Sequence, residues 1–247
     1  GCGSEGEGWG NGRAIATLLA RQGAKVIGTD LNYKAAKNTQ DFILKENNKC
    51  EIHEVNMSNK KDVDFFFKNV TKQHKKINIL VNNVGRSEPG DPEVMDYDVW
   101  REQFSTNLDT AFFAIKQIIP TMKKNGGGSI VNISSVAGMR YVGKPQVGYS
   151  ASKAALMQMT KTTAIIHAEN KIVSEEKDLQ DYQSNEDRNR VDAAYALLER
   201  VDMKEDAHVA AEAKDSSTPS RDLTARVALS KENSFGSKRT SIYGPRA

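Results

Sequence analysis

A chain of 247 residues with 38% hydrophobic and 27% charged side chains has material for one soluble globular core and little for a second. Its 35 basic and 32 acidic residues leave a formal charge of +3 with the signs interspersed, so no basic stripe is available for a nucleic-acid backbone or an anionic membrane. No apolar run approaches the roughly 18 residues of a spanning helix and the Gly-rich start lacks a signal peptide's basic and apolar regions; the two cysteines, Cys2 and Cys50, neither frame a disulfide scaffold nor hold zinc, so a cytoplasmic protein with free thiols and no metal is expected.

In chain order, the glycine-rich stretch Gly6-Glu7-Gly8-Trp9-Gly10-Asn11-Gly12 runs straight into an amphipathic pattern over Gly12–Arg21. Short β-branched runs then predict strands at Lys25–Thr29, Glu51–Val55, Ile77–Val81 and Ser129–Ile133. Between and after them the helical period predicts helices near Tyr33–Glu46, Asn59–His74, one long span Asp96–Lys123, and Tyr149–Asn170. Phe65, Phe66 and Phe67 belong to a core-facing surface of the Asn59–His74 helix, and Lys72–Lys76 reads as a solvated charge run. Strands alternating with helices imply parallel pairing with crossovers on both faces: an α/β fold, a doubly wound parallel sheet of Rossmann type in a single domain. Beyond Ile172 charge rises to about a third of residues and no strongly apolar strand is legible. There Val191–Arg200, Ala207–Ala213 and Asp222–Ser230 suit short helices, Thr240–Tyr243 a short strand and Ser216–Ser220 a loop.

The glycine turn can host a pyrophosphate, because missing Cβ atoms permit close approach and a helix N-terminus offers unpaired N–H donors. By itself such a turn is also what a flexible loop looks like. Asp30, at the end of the following strand and about 20 residues past the turn, adds context: a carboxylate there can accept from both adenosine ribose hydroxyls and repels an extra 2′-phosphate, which favours NAD over NADP. The plain alternative is that Asp30 caps the helix beginning near Tyr33. Tyr149 and Lys153 stand at i and i+4 on one helix face, and a nearby ammonium favours the phenolate of a group whose ordinary pKa is near 10. Ser134 and Ser135 follow the Ser129–Ile133 strand, at the strand end where open α/β sheets meet ligands, although alone they would pass for turn residues. His53, His74, His167 and His208 have no metal-binding spacing, and Trp9 in the turn could shield a pyrophosphate.

Together these residues resemble the short-chain dehydrogenase/reductase family. Gly6-x-x-x-Gly10-x-Gly12 looks like its cofactor loop, Asn82-Asn83-Val84-Gly85 its Asn-Asn-Ala-Gly motif, and Asn107 in Ser-Thr-Asn-Leu its structural and proton-relay asparagine. Ser135, Tyr149 and Lys153 match the remaining catalytic positions, and the likeness covers residues 6–172. The resemblance implies an NAD(H)-dependent oxidoreductase that interconverts a secondary alcohol and a ketone, with Asn107, Ser135, Tyr149 and Lys153 catalytic. It implies cofactor contacts from Gly6, Gly10, Asn11, Gly12, Asp30, Asn56, Asn83, Gly85, Tyr149 and Lys153. Asn56 stands where the family carries an adenine-contacting Asp. A small-molecule alcohol or carbonyl partner and a homodimer or homotetramer built on the long helices are implied as well.

Three departures bear on the fold. Gly1–Glu5 lies where the family has its central first strand yet lacks apolar β-branched residues; one extra residue lengthens the Arg140–Val147 loop; and no strand, Pro-Gly turn or final Asp-Gly-Gly is legible after Ile172. These leave two rivals open: a catalytically silent dinucleotide-binding sensor or scaffold, and an epimerase or dehydratase using the same Tyr and Lys.

Overall fold

The structure is a computed structural model that describes residues 1–4 and 8–177. Gly6 of the glycine turn and the tail elements expected at Val191–Arg200, Ala207–Ala213, Ser216–Ser220, Asp222–Ser230 and Thr240–Tyr243 lie outside the described residues.

Helix α1 (Asn11–Arg21) leads to strand β1 (Val26–Asp30), α2 (Tyr33–Lys45), β2 (Cys50–Glu54), α3 (Lys60–Gln73) and β3 (Ile79–Asn82). Then come α4 (Tyr97–Phe104), α5 (Thr110–Lys124), β4 (Gly128–Ile133), α6 (Val147–His167) and β5 (Ile172–Lys177). Asparagine side chains start two of the helices: Asn32 accepts from the Ala35 amide at α2 and Asn59 from the Lys61 amide at α3. All strand pairs are parallel, β1 with β2 and β4 with both β3 and β5 in the order β3-β4-β5.

Alternation along β4 shows both faces covered. Ile130 packs into a large cluster with Val63, Phe66 and Phe67 of α3 and Ile115 and Ile118 of α5, while Asn132 on the same face donates to Thr160 of α6. Val131 and Ile133 point the other way, onto Ile15 of α1. Ala16 and Ala20 of α1 close on Ile43 of α2 over Val26 and Cys50. Helices therefore wrap both faces of a parallel sheet, the doubly wound arrangement.

Three sequence expectations change. First, Ile172–Lys177 is a strand: it pairs with β4 from Gly128↔Ile172 to Ile133↔Lys177, and Ile172 is buried in the large cluster. Its two apolar residues are followed by Ser-Glu-Glu, so the β signal stops after Val173 while the ladder continues along the backbone. Second, the single long helix is two, α4 and α5, joined by a π-helical turn at Ser105–Asp109; such turns recur at functional sites. Third, Gly1–Ser4 runs extended beside β1 without forming a strand: the Gly1 amine and the Cys2 amide each donate to the Thr29 carbonyl at 2.9 Å, and the Gly1 carbonyl accepts from Asn83 Nδ2 at 2.8 Å. The ladder is thereby interrupted between β1 and β3.

Candidate active site

The C-terminal ends of β1, β3 and β4 gather most of the predicted residues. Gly12 is the closest approach of all: a Cβ there would lie 1.8 Å from the Gly1 carbonyl oxygen and 2.8 Å from Asn83 Nδ2, so α1 can seat against the first segment only with glycine at this position. Gly10 caps α1 without any side chain accepting from the first-turn amides, and no acidic residue occupies that turn. Among the described residues, therefore, no side chain neutralises the positive pole formed by the N–H groups at Asn11 and Gly12.

Two residues outside the predicted set organise this turn. Ser4 Oγ donates to the Gly8 carbonyl at 2.7 Å and accepts from the Gly10 amide at 2.8 Å, pinching the loop closed. Gly3 packs on α2 so tightly that a Cβ would lie 2.6 Å from Ala35 Cβ and 2.8 Å from the Ala35 carbonyl carbon. Its spacing from Gly10 does not fit the motif that begins at Gly6, which hid it. Trp9 packs edge-on against Phe42 of α2 at 5.0 Å, with the Arg13 guanidinium 4.7 Å above its ring.

Asp30 is not the cap of α2; Asn32 is. The Asp30 carboxylate ties the loop to β1, Oδ2 accepting from the Gly3 amide and Oδ1 from the Asn32 amide, both at 2.9 Å. Each oxygen keeps a second lone pair for a further donor. Asn56, exposed after β2, accepts from the Ser58 amide at 3.0 Å and has its Nδ2 left to donate.

The segment Asn82–Gly85 connects this end to the second group. Asn83 holds Gly1, and two residues on, a Cβ at Gly85 would meet Asn107 Oδ1 at 3.0 Å and Lys153 Nζ at 3.1 Å. Asn107, buried in the π turn, clasps the next peptide: Oδ1 accepts from the Arg86 amide at 2.8 Å and Nδ2 donates to the Arg86 carbonyl at 2.9 Å. Gln103, one turn earlier and also buried, accepts from the Glu88 amide at 3.2 Å. Ser87 Oγ donates to Gln146 and Gly90 bridges to Gln146, so the loop after β3 is stitched to the start of α6.

Helix α6 brings Tyr149 and Lys153 there. Lys153 is buried, donates to the Ile133 carbonyl at 2.8 Å and lies with Nζ 5.7 Å from the centre of the Tyr149 ring. Burial pushes its ammonium down to about 8. Tyr149 is half-buried. Ser135, buried at the end of β4, caps the short turn Val136–Gly138 by accepting from the Ala137 amide at 3.2 Å, which leaves its O–H to donate. That turn presses on α6 closely enough that a Cβ at Gly138 would lie 2.8 Å from the Ala154 amide. Asn107, Tyr149 and Lys153 thus meet at one end of the sheet, where β4 ends in Ser135, and the glycine turn is joined to them through Asn83 and Gly85.

His53 and His74, whose sequence positions give no metal-binding spacing, converge on Glu51 through Nε2 at 2.9 and 3.1 Å, with Lys25 Nζ 3.2 Å from the same carboxylate. Distance along the chain concealed the cluster, which lies on β2 and the end of α3. No helix among the described residues is long and apolar enough to cross a membrane.

A family model described as short chain dehydrogenase matches residues 5–174. The chain is 30% identical over 166 residues to the cyclohexanol dehydrogenase of Acinetobacter sp. (strain SE19), which is 66% of this chain and 65% of that one. It is 35% identical over 156 residues to the 3-oxoacyl-(acyl-carrier-protein) reductase FabG of Vibrio cholerae serotype O1, covering 63% and 62%. The chain therefore spans just under two thirds of the length of these curated relatives. Among solved structures, a metagenomic short-chain oxidoreductase in complex with NADP is similar with a TM-score of 0.69 and 27% identity over 77% of this chain and 85% of that one. A 7α-hydroxysteroid dehydrogenase complexed with NADH and 7-oxo glycochenodeoxycholic acid is similar with a TM-score of 0.63 and 28% identity, covering 66% and 64%. With a match that starts in the glycine turn, takes in the Asn107, Ser135, Tyr149 and Lys153 positions and ends in β5, the chain belongs to the short-chain dehydrogenase family.

Proposed function

We propose that the chain is an oxidoreductase that interconverts a secondary alcohol and a ketone with NAD(H). The observation that carries this reading is Lys153, a buried amine beside the Tyr149 ring at the same end of the sheet as the glycine turn. The residues suit a dinucleotide: an uncapped helix start with glycines at Gly10 and Gly12 for the diphosphate, remaining lone pairs on Asp30 for ribose hydroxyls, and Asn56 for adenine. Asn11, Gly85 and the Asn83 backbone would line the same path, as would Gly6. When bound, the nicotinamide supplies or takes the hydride.

Each side chain then has a physical task. Tyr149 passes a proton to the carbonyl oxygen or takes it from the alcohol, and the Lys153 charge favours the phenolate. Ser135 donates its O–H to the same oxygen and stabilises the charge that builds there. Asn107 holds the Arg86 peptide near Lys153 and would position a water that connects Lys153 to solvent. Asp30 favours NAD, since a 2′-phosphate beside a carboxylate is repelled. Exposed Phe112 on α5 and Ile165 and Ile166 on α6 support self-association through these helices, as a dimer or tetramer.

The test is NADH titration by fluorescence followed by turnover of a panel of secondary alcohols and ketones. Tyr149→Phe is expected to keep NADH affinity within about twofold and to lose at least about a hundredfold in turnover. NADH is expected to bind more tightly than NADPH, with the gap narrowed by Asp30→Ala. Unchanged turnover in Tyr149→Phe removes the assignment, and NADH binding without turnover of any substrate by the unaltered chain favours a silent binding protein.

A further inference from the structure

The buried side chain of α4 is a polar one. Gln103 is 1% exposed and shares the inward face of Trp100 and Phe104, where the helical period calls for an apolar residue. A carboxamide is stable in such a place only with hydrogen bonds that offset its desolvation. Gln103 Oε1 accepts from the Glu88 amide at 3.2 Å and lies 3.5 Å from Nδ2 of Asn107, one turn on. That Nδ2 carries two hydrogens, one for the Arg86 carbonyl at 2.9 Å and one for Gln103. The aliphatic part of the side chain bears on α6: a Cβ at Gly148 would lie 3.0 Å from Gln103 Cγ and 3.3 Å from its Cβ, and Tyr149 is the next residue.

The loop after β3 transmits what Gln103 holds. Each residue from Arg86 to Glu88 is fixed by a side chain from elsewhere: Arg86 by Asn107, Ser87 by Gln146 and Glu88 by Gln103. Two residues on, the loop joins the start of α6, the Gly90 amide donating to the Pro145 carbonyl at 2.9 Å and the Val147 amide to the Gly90 carbonyl at 3.0 Å. A shift at Glu88 therefore reaches Val147 and, half a turn later, Tyr149. Before the loop, a Cβ at Gly85 would meet Asn107 Oδ1 at 3.0 Å and Lys153 Nζ at 3.1 Å. Gln103 thus stands where the π turn, the loop after β3 and the first turn of α6 converge.

We propose that Gln103 is a positioning residue for proton transfer, its carboxamide fixing Tyr149 relative to Lys153 through the Glu88 amide, Gly148 and Asn107. The inference rests on the alcohol–ketone reading of the site and adds to it a residue that acts through distance. Attraction between a phenolate and an ammonium falls with their separation. Lys153 is tied to the Ile133 carbonyl on β4, so play in the first turn of α6 moves Tyr149 away from a fixed charge and makes the phenolate harder to form. Arg86 and Glu88, the charged side chains of the loop, are paired with each other at 2.6 Å.

Two variants of the full chain test it. Gln103→Met keeps the length and apolar contacts of the side chain and removes the acceptor, whereas Gln103→Glu keeps a carboxyl oxygen at the same reach. Gln103→Met is expected to lower kcat about tenfold or more, with KM and NADH affinity within about twofold. The pH at which alcohol oxidation reaches half its maximum is expected to rise by about 0.5 or more, because oxidation needs the phenolate. Gln103→Glu is expected to return kcat to within about threefold of the unaltered chain. If Gln103→Met does not fold, Gln103→Asn, which draws the oxygen back by one methylene, replaces it with the same expectations. Unchanged kcat and pH profile in the variant lacking the acceptor, whatever its urea stability, overturn the proposal; so does equal loss in Gln103→Glu, or loss of NADH binding along with turnover. An unaltered chain without turnover refutes the reaction, and the phenol then decides for Gln103. Ionisation of Tyr149, read as the ultraviolet difference between each protein and its Tyr149→Phe counterpart, is expected at a pH about 0.5 or more higher in Gln103→Met. Equal values overturn the positioning role.

Discussion

Lys153 carries a charge into a place that water barely reaches, and that has a measurable cost. Its ammonium titrates near 8 when folded against 10.5 ordinarily, so between these values the unfolded chain binds the extra proton and stability rises with pH. The fall from 10.5 to about 8 corresponds to about 3 kcal/mol of destabilisation below pH 8, relieved as pH climbs toward 10.5. In Lys153→Met that cost is gone, although the Ile133 carbonyl loses a donor, worth about 1–2 kcal/mol. The variant is expected to be more stable than the unaltered chain at pH 7 by about 1–2 kcal/mol, with the advantage reversed near pH 10.5. Urea unfolding at both pH values checks this, and a pH-independent difference between the two proteins refutes it. Gly3→Ala and Gly12→Ala belong to the same scale: each Cβ would meet fixed backbone atoms under 3.0 Å away, so each is expected to lower stability by about 1–3 kcal/mol in the same assay. Gly12 was readable from its place at the head of a helix, whereas the need for glycine at Gly3 comes from α2, which sequence neighbours do not reveal.

Among the elements, the break between α4 and α5 has the clearest consequence. The π turn at Ser105–Asp109 carries Asn107, whose amide satisfies both the N–H and the C=O of Arg86. Asn107→Ala leaves two backbone groups without those partners and is expected to cost about 2–4 kcal/mol, with faster hydrogen exchange at Arg86. Asn107→Asp retains an acceptor for the Arg86 amide and loses only the donor, so it is expected to fall between the two; equal exchange at Arg86 in all three proteins would show that the clasp is unimportant. The hydrophobic period across Asp96–Lys123 gave no sign of this break, because one widened turn shifts the apolar stripe too little to interrupt it. Four of the five strands and the flanking helices were legible for the opposite reason: period and β-branched runs are local. β5 was not, since what holds Ser174–Lys177 in place is the backbone of β4, and a ladder partner leaves no mark on the side chains it orders. Tyr149, Lys153, Ser135 and Asn107 could be picked out by type and order, but the clasp from Asn107 to Arg86 and the brace from Ser4 across the glycine turn required the folded backbone.

At the scale of the molecule, the β1-β2 pair and the β3-β4-β5 sheet are joined mainly by side chains. Val63, Phe66 and Phe67 of α3 reach over to Ile115 and Ile118 of α5 on one face, and α1 spans Val131 and Ile133 on the other. Two isoleucines report on that arrangement because they share a chemistry and differ in surroundings. Ile130 on β4 is fully buried among α3 and α5, so Ile130→Ala loses a complete set of contacts and leaves a closed void, at an expected cost of about 4 kcal/mol. Ile27 on β1 is half-buried and lines a cavity between β1 and β3, so Ile27→Ala is expected to cost about 1–2 kcal/mol. Urea unfolding of both variants checks this, and equal costs at the two sites would show that Ile27 is packed as fully as Ile130.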